Sequence, residues 1–275
     1  MIGIHDLVKR YGTFTAVDGI NLEVTPGEIH GFLGPNGAGK TTTLRMIAGL
    51  LKPTSGHILV NGHDLAANPE QAKTSLGFIP DRPFIYEKLT AGEFLRFHGG
   101  LYGLDGRDIG ERVREMLALF ELDRWQHELV ESFSHGMKQR LVMCAAFLHR
   151  PHAVVVDEPM VGLDPRGARL IKDVFRRMSQ RGVAILMSTH TLEVAQEMCD
   201  RITIILKGRI IARGTVDELR RMAGKVDHAA GLKSCATSGN ALKSCATSEG
   251  EAEQLTSVFL KLTGGSALQE IDEIL

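Results

Sequence analysis

Residues 34–42 read GPNGAGKTT, and no other stretch of the chain limits its fold as tightly. They fit G-x-x-x-x-G-K followed by Ser or Thr, between the apolar run EIHGFL and the helix-like run TTTLRMIAGLL. Strand, glycine-rich turn and helix start form the context in which that pattern binds phosphate, and a chance glycine turn would not carry both flanks. Glycines at 34, 37 and 39 let the backbone bend close to phosphate oxygens. Free amides and the dipole at the helix start attract the anion. Lys40 is placed to reach the β- and γ-phosphates as a compact charge. Thr41 is placed to give a hydroxyl to magnesium. The candidate nucleotide contacts of this loop are Gly34, Pro35, Asn36, Gly37, Ala38, Gly39, Lys40, Thr41 and Thr42.

The run AVVVDEP supplies a second half. Asp157 stands where a buried strand emerges and is a candidate magnesium ligand. Glu158 follows directly and is placed to polarise an attacking water. Adjacent acids after a strand often only cap a helix, but a phosphate loop elsewhere in the chain weakens that reading here.

The surrounding pattern is α/β. IGIHDLVKRYG and GINLEVTPG alternate as half-buried antiparallel strands do. Asn61-Gly62 and Lys207-Gly208 each read as a turn between strands. From about 90 to 148, AGEFLRFHGGLYG, GERVREMLALFEL and MKQRLVMCAAFLHR carry helical spacing, which predicts a helical subdomain inserted into the sheet. HAVVVDEP and GVAILMSTH return as all-apolar strands, as in a parallel sheet covered on both faces. Residues 1–224 are expected to form this domain. LKSCATS occurs twice within 225–250, whose small polar content suggests a linker, with a paired-cysteine site as the weaker alternative. Leu255, Val258, Phe259 and Leu262 put one apolar face on a helical tail in 251–275.

Composition removes several function classes. With 32 basic and 33 acidic residues, the chain lacks the footprint of a nucleic-acid binder. No basic-then-apolar leader opens it, so no secretory signal is expected. Its longest apolar run, 141–148, is far short of the roughly 20 residues a membrane span needs. Cys144, Cys199, Cys235 and Cys245 form no CxxC, which fits a reducing, cytosolic setting.

Taken in order, RYG, GPNGAGKTT, FSHGMKQR, VVVDEPMVGLDP and MSTH resemble the ATP-binding cassette (ABC) family, and specifically the ATPase subunit of a transporter. The likeness runs over about residues 2–214, and VFLKLTGG in the tail resembles the end of many stand-alone transporter ATPases. It implies a P-loop NTPase core, mostly parallel sheet with helices, plus an N-terminal antiparallel β subdomain and the inserted helical one. It implies ATP and magnesium as ligands, Tyr11 stacking on adenine with Val17 nearby, and Glu158 activating water. His190 would donate a hydrogen bond to the γ-phosphate, and Asp164 in GLDP would contact a partner subunit. Ser134, His135, Gly136 and Met137 stand in the signature position usually written LSGGQ. They would cover ATP held by a second subunit, either another copy or a related chain. Phe133, His135 and Met137 depart from that pattern, but a hydroxyl, a glycine and a helix N-terminus remain, with Lys138 and Arg140 adding positive charge. A capped helix start is the plainer reading of the same stretch, and the two are compatible.

Asp81 in LGFIPDRP stands where the family usually has glutamine. It can still offer an oxygen to magnesium, while its charge opposes the γ-phosphate. Function follows from the resemblance: ATP hydrolysis drives transport, leaning toward export, through a separate integral membrane permease. The chain would lie peripherally on the cytoplasmic face of the cell membrane. Residues 81–86 and the helical segment would face that permease, though Phe84, Ile85 and Tyr86 suit a local core contact equally. The rival class is a cassette ATPase of DNA repair or translation. The balanced charge and the absence of coiled-coil or zinc inserts speak against it.

Overall fold

The computed structural model describes residues 1–82, 84–104 and 106–221. The linker and helical tail expected of 225–275 lie outside the described residues. Strands β1 (Ile2–Tyr11), β2 (Phe14–Val24) and β3 (Ile29–Leu33) lead into helix α1 (Lys40–Ile47). Next come β4 (Ser55–Val60), β5 (His63–Asp64), α2 (Pro69–Thr74) and β6 (Leu76–Ile79). Three helices follow: α3 (Ala91–Leu101), α4 (Gly106–Leu119) and α5 (His135–Phe147). The chain then alternates β7 (Ala153–Asp157), α6 (Pro165–Gln180), β8 (Ala184–Thr189) and α7 (Leu192–Met198). It closes on β9 (Arg201–Leu206) and β10 (Arg209–Gly214).

Two sheets result. One is antiparallel, in the order β2-β1-β4-β5; the other runs β10-β9-β3-β8-β7-β6, with its central pairs parallel. The alternating sequences thus form the antiparallel sheet, and the all-apolar runs form the buried parallel strands. Both expected turns close hairpins of two residues. Asn61 and Gly62 have φ of 49° and 83°, and Lys207 and Gly208 have 47° and 78°, the mirror-image geometry that suits strand twist.

Strand parity divides the core between the faces of the parallel sheet. Ile29, Leu33, Val154, Val156, Ile185 and Met187 pack with the helices α3 to α7. Phe32, Ala153, Val155, Ala184 and Leu186 pack on α1 and the antiparallel sheet. The helical segment starts on a capping box, in which Thr90 accepts from the Glu93 amide and Glu93 accepts from Thr90. Sequence analysis singled out neither α6 nor β6. Asp164 and Pro165 give α6 a favourable start. β6 has only four residues, and its Gly77 lies under α5, where a Cβ would come 2.7 Å from the Ala146 carbonyl oxygen.

Candidate functional site

Side chains of the site hang from the carboxyl ends of four neighbouring parallel strands, where such sheets place ligands. β3 is buried throughout and delivers the chain into loop 34–39. That loop is pressed against its surroundings. A Cβ at Gly34 would come 2.4 Å from the Ile205 carbonyl oxygen, and one at Gly39 would come 2.6 Å from that of Ala16. Gly39 also has φ of 108°, which L side chains rarely adopt, and no side chain caps α1 behind it. The first amides of the helix therefore have no side-chain partner. Lys40 is buried, and its Nζ donates to the carbonyls of Gly34 (2.6 Å) and Pro35 (3.1 Å), drawing the loop into a ring. Burial lowers its pKa, while the carboxylates of Glu158 and Asp157 pull it back up. The Thr43 hydroxyl is bound to the Gly39 carbonyl at 2.9 Å, whereas among the described residues nothing claims that of Thr41.

β7 brings Asp157 and Glu158 beside that ring. Asp157 is 2% exposed and pairs in register with Ser188 of β8. The Ser188 hydroxyl donates to Asp157 Oδ1 and accepts from the Glu158 amide at 3.2 Å. One buried serine thus fixes both acids. Glu158 sits at φ 51°, an uncommon conformation for a residue with a side chain and one that concentrates at functional sites. Its Oε1 lies 2.9 Å from His190 Nδ1 and 4.0 Å from Lys40 Nζ. Half of the His190 side chain is exposed, against 17% for Glu158, so the carboxylate is shielded but reachable. With Glu158 ionised, Nδ1–H donates to it, and Nε2 is a donor only when the ring is doubly protonated. Asp81 follows β6, which pairs with β7 through Ile79 and Val156, so it emerges on the edge that carries Asp157.

The N-terminus of α5 is built differently. Ser134 caps it by accepting from the Met137 amide at 3.3 Å, and both Ser134 and His135 are exposed. Met137 is half-buried, its side chain packed on the edge of the core. Lys138 is paired with Glu87 at 2.6 Å, and Arg140 donates to the Phe120 carbonyl at 3.0 Å. The Lys138 charge is thereby paired, whereas Arg140, bonded to a neutral carbonyl, keeps its own. Val17 is fully buried, with Cγ2 3.5 Å from a Cβ placed on Gly39, so it floors the phosphate loop. Tyr11 remains half exposed at the end of β1, with Lys9 Nζ 5.1 Å from its ring centroid. Asp164 caps α6 by accepting from the Gly167 amide at 2.9 Å.

The family model described as ABC transporter matches residues 17–161. The chain belongs to the ABC transporter family. Linearmycin resistance ATP-binding protein LnrL of Bacillus subtilis (strain 168) is 38% identical over 219 residues, which cover 80% of this chain and 70% of that protein. Probable multidrug ABC transporter ATP-binding protein YbhF of Escherichia coli (strain K12) is 40% identical over 220 residues, again 80% of this chain. The match spans only 38% of YbhF. A solved structure described as the ATP-binding subunit of an ABC transporter superposes with a TM-score of 0.77 at 36% identity, covering 82% of this chain and 93% of that one.

Within this ABC chain, the phosphate loop, Asp157, Glu158 and His190 come together, with Asp81 on the same edge. The N-terminus of α5 instead contacts the segment downstream of Glu158, through Gly162 and Leu163. Magnesium fits the donor set. Thr41 and Asp157 offer hard oxygens beside an anion-binding loop, and among the described residues only Ser188 donates to Asp157. Ser188 is the residue sequence reading passed over. Its only signal was a hydroxyl beside the TH of MSTH, and its role depends on the register of β7 against β8.

Proposed function

We propose that this chain is the ATP-hydrolysing subunit of an ABC exporter. The observation that carries this is the Lys40–Glu158–His190 cluster: a buried ammonium, a shielded carboxylate and an imidazole converge at the mouth of a phosphate-binding loop. The amides of 37–42 and Lys40 bind and orient the phosphates, and Tyr11 stacks on the base. Glu158 takes the proton of the attacking water, a step worth roughly 10²- to 10⁴-fold in rate. His190, bound to the same carboxylate oxygen that Lys40 approaches, orients that water and the γ-phosphate. Thr41, Asp157 and Asp81 would hold magnesium, which when bound neutralises phosphate charge.

A second subunit completes the site. Its segment 134–137 presents a capped helix start, with unclaimed amides and a serine hydroxyl, to the γ-phosphate. Loss of the γ-phosphate removes that contact and lets the pair reopen, so differential binding of ATP and ADP drives the motion.

The membrane partner docks at the cleft between the parallel sheet and the helical segment. No described helix is long and apolar enough to cross a membrane. The cleft, about 300 Å³, is lined by Phe78, Phe94, Tyr102, Val142 and Ala145, with Phe84 at its mouth. Phe84 is 97% exposed, and the exposed pair Tyr86 and Phe97 adds apolar surface, the kind of patch that marks a docking site. Such docking puts the chain on the cytoplasmic face of the membrane. Export is supported by relatives such as LnrL, named for resistance to linearmycin. The test is co-purification: a polytopic membrane protein should stay bound to the wild type, leave on Phe84→Asp, and raise ATP turnover when present. Turnover stimulated by nucleic acid instead would overturn the reading.

A further inference from the structure

The residue at the second signature position is a histidine where the resemblance expects glycine, and its ring does not stand free. A methyl added at Gly162 would meet His135 Cδ2 at 2.4 Å and Nε2 at 2.8 Å, so the imidazole lies directly on the bare glycine backbone. Gly162 has φ of 76°, so both its conformation and its neighbour require glycine. A second contact sits beside the first: a Cβ at Gly136 would lie 3.6 Å from the Gly162 carbonyl oxygen and 3.7 Å from Leu163 Cδ2. The segment under the ring starts at Glu158 and ends at Asp164. It is a run of short turns, with the Val161 amide bonded to the Glu158 carbonyl (3.2 Å) and the Leu163 amide to that of Met160 (3.4 Å). Both ends are fixed. Glu158 is held by Ser188, and Asp164 caps α6. A push at Gly162 therefore has little slack to dissipate in before it reaches Glu158.

We propose that His135 is a positioning residue: its ring couples the N-terminus of α5 to segment 159–164, so the half-site shown to a partner and the chain's own Glu158 shift together. This rests on the reading of 134–137 as the half-site that covers a partner's ATP, and it changes the part His135 plays there. The imidazole reaches back to its own chain, and the phosphate contact is left to Ser134 and the helix amides. Coupling of this kind acts through the shape of the ring and not through a charge. When a γ-phosphate seats on α5, the ring carries the movement to the segment after Glu158, and hydrolysis in one site depends on ATP in the other.

Full-length protein is assayed for ATP turnover across an ATP titration, alongside ADP binding and ATP-driven pairing. His135→Gly should lower kcat by roughly 2- to 30-fold, the range for a single coupling contact, and reduce the Hill coefficient toward one. KM for ATP should stay within about twofold, and ADP binding should match the wild type, because loop 34–42 is untouched. His135→Phe keeps the ring and should restore most of the kcat and the cooperativity. Gly162→Ala, which displaces the ring, should resemble His135→Gly. A His135→Phe variant as slow as His135→Gly would show imidazole chemistry in place of packing and overturn the proposal. So would a His135→Gly variant with wild-type turnover and Hill coefficient, or one that loses ADP binding. Ser134→Arg separates the two levels: if it leaves pairing intact, the half-site reading itself fails, whatever His135 does.

Discussion

The two helix starts of this chain use the same physics to opposite ends. α1 begins inside a finished setting: Lys40 is hydrogen-bonded to its own loop, Val17 floors it, and Glu158, Asp157 and Ser188 stand beside it. α5 begins in the open, with Ser134 as cap, His135 against Gly162 and no carboxylate or metal-binding oxygen directed at its amides among the described contacts. The first gathers an anion-binding loop, an ammonium and two carboxylates from one chain. The second offers amides and a hydroxyl with nothing to act on. On the proposed reading these are two unlike half-sites, with the chemistry in one and assembly in the other.

The comparison breaks most severely if chemistry is not confined to the α1 side. Glu158→Gln should therefore give the largest effect, a fall in kcat of roughly 10²- to 10⁴-fold with nucleotide still bound. Steady-state turnover and ADP affinity check it together; turnover near wild type would move the base elsewhere. Ser188→Ala comes next. Its hydroxyl holds one buried carboxylate directly and Glu158 through the backbone, and a hydrogen bond to a charged group is worth about 1.5–3 kcal/mol, so kcat should fall by roughly 10- to 100-fold. Ser188→Thr should recover part of it. Asp81→Gln should be milder, within about threefold in kcat, and should show chiefly as a changed magnesium half-saturation, because one charge at the edge is exchanged for an amide. Identical turnover, magnesium response and transport would remove Asp81 from the site.

The smallest effect sharpens the comparison from outside it. His149 stacks on Tyr102 at 3.7 Å between ring centroids, and burial pushes its pKa down to about 4. The unfolded chain takes up that proton near 6.5, before the folded one does, so folding stability should decline as pH falls from about 6.5 to 4 and rise again with pH. Urea unfolding of His149→Gln should show a flatter profile in that window. ADP binding at neutral pH should be unchanged, since neither helix start involves this residue.

Much of the α1 half was readable because its signals are local. GPNGAGKTT and VVVDEP each specify strand, turn and site within about ten residues, and the two hairpin turns name themselves. What escaped was set by parity, register or long-range packing. Val17 lies on the inward face of β2, so its role followed from which side of a strand faces the core. Met137 is half-buried against the edge of the core. Lys138 finds Glu87, 51 residues away, and Arg140 finds a carbonyl 20 residues away. Ser188 acquires its role only when β8 lies in register beside β7. The neighbours of His135 in sequence place it in the signature position, while the residue its ring rests on, Gly162, lies in another segment.

Pairing of two chains depends on whether the exposed helix start completes another subunit's ATP site. The direct measurement is the mass in solution of Glu158→Gln with saturating ATP and magnesium, with and without Ser134→Arg in the same chain. We expect a stable pair for Glu158→Gln and single chains once Ser134→Arg is added, with ADP binding equal in both. A pair that survives Ser134→Arg, or a Glu158→Gln chain that stays single in ATP, would contradict the account.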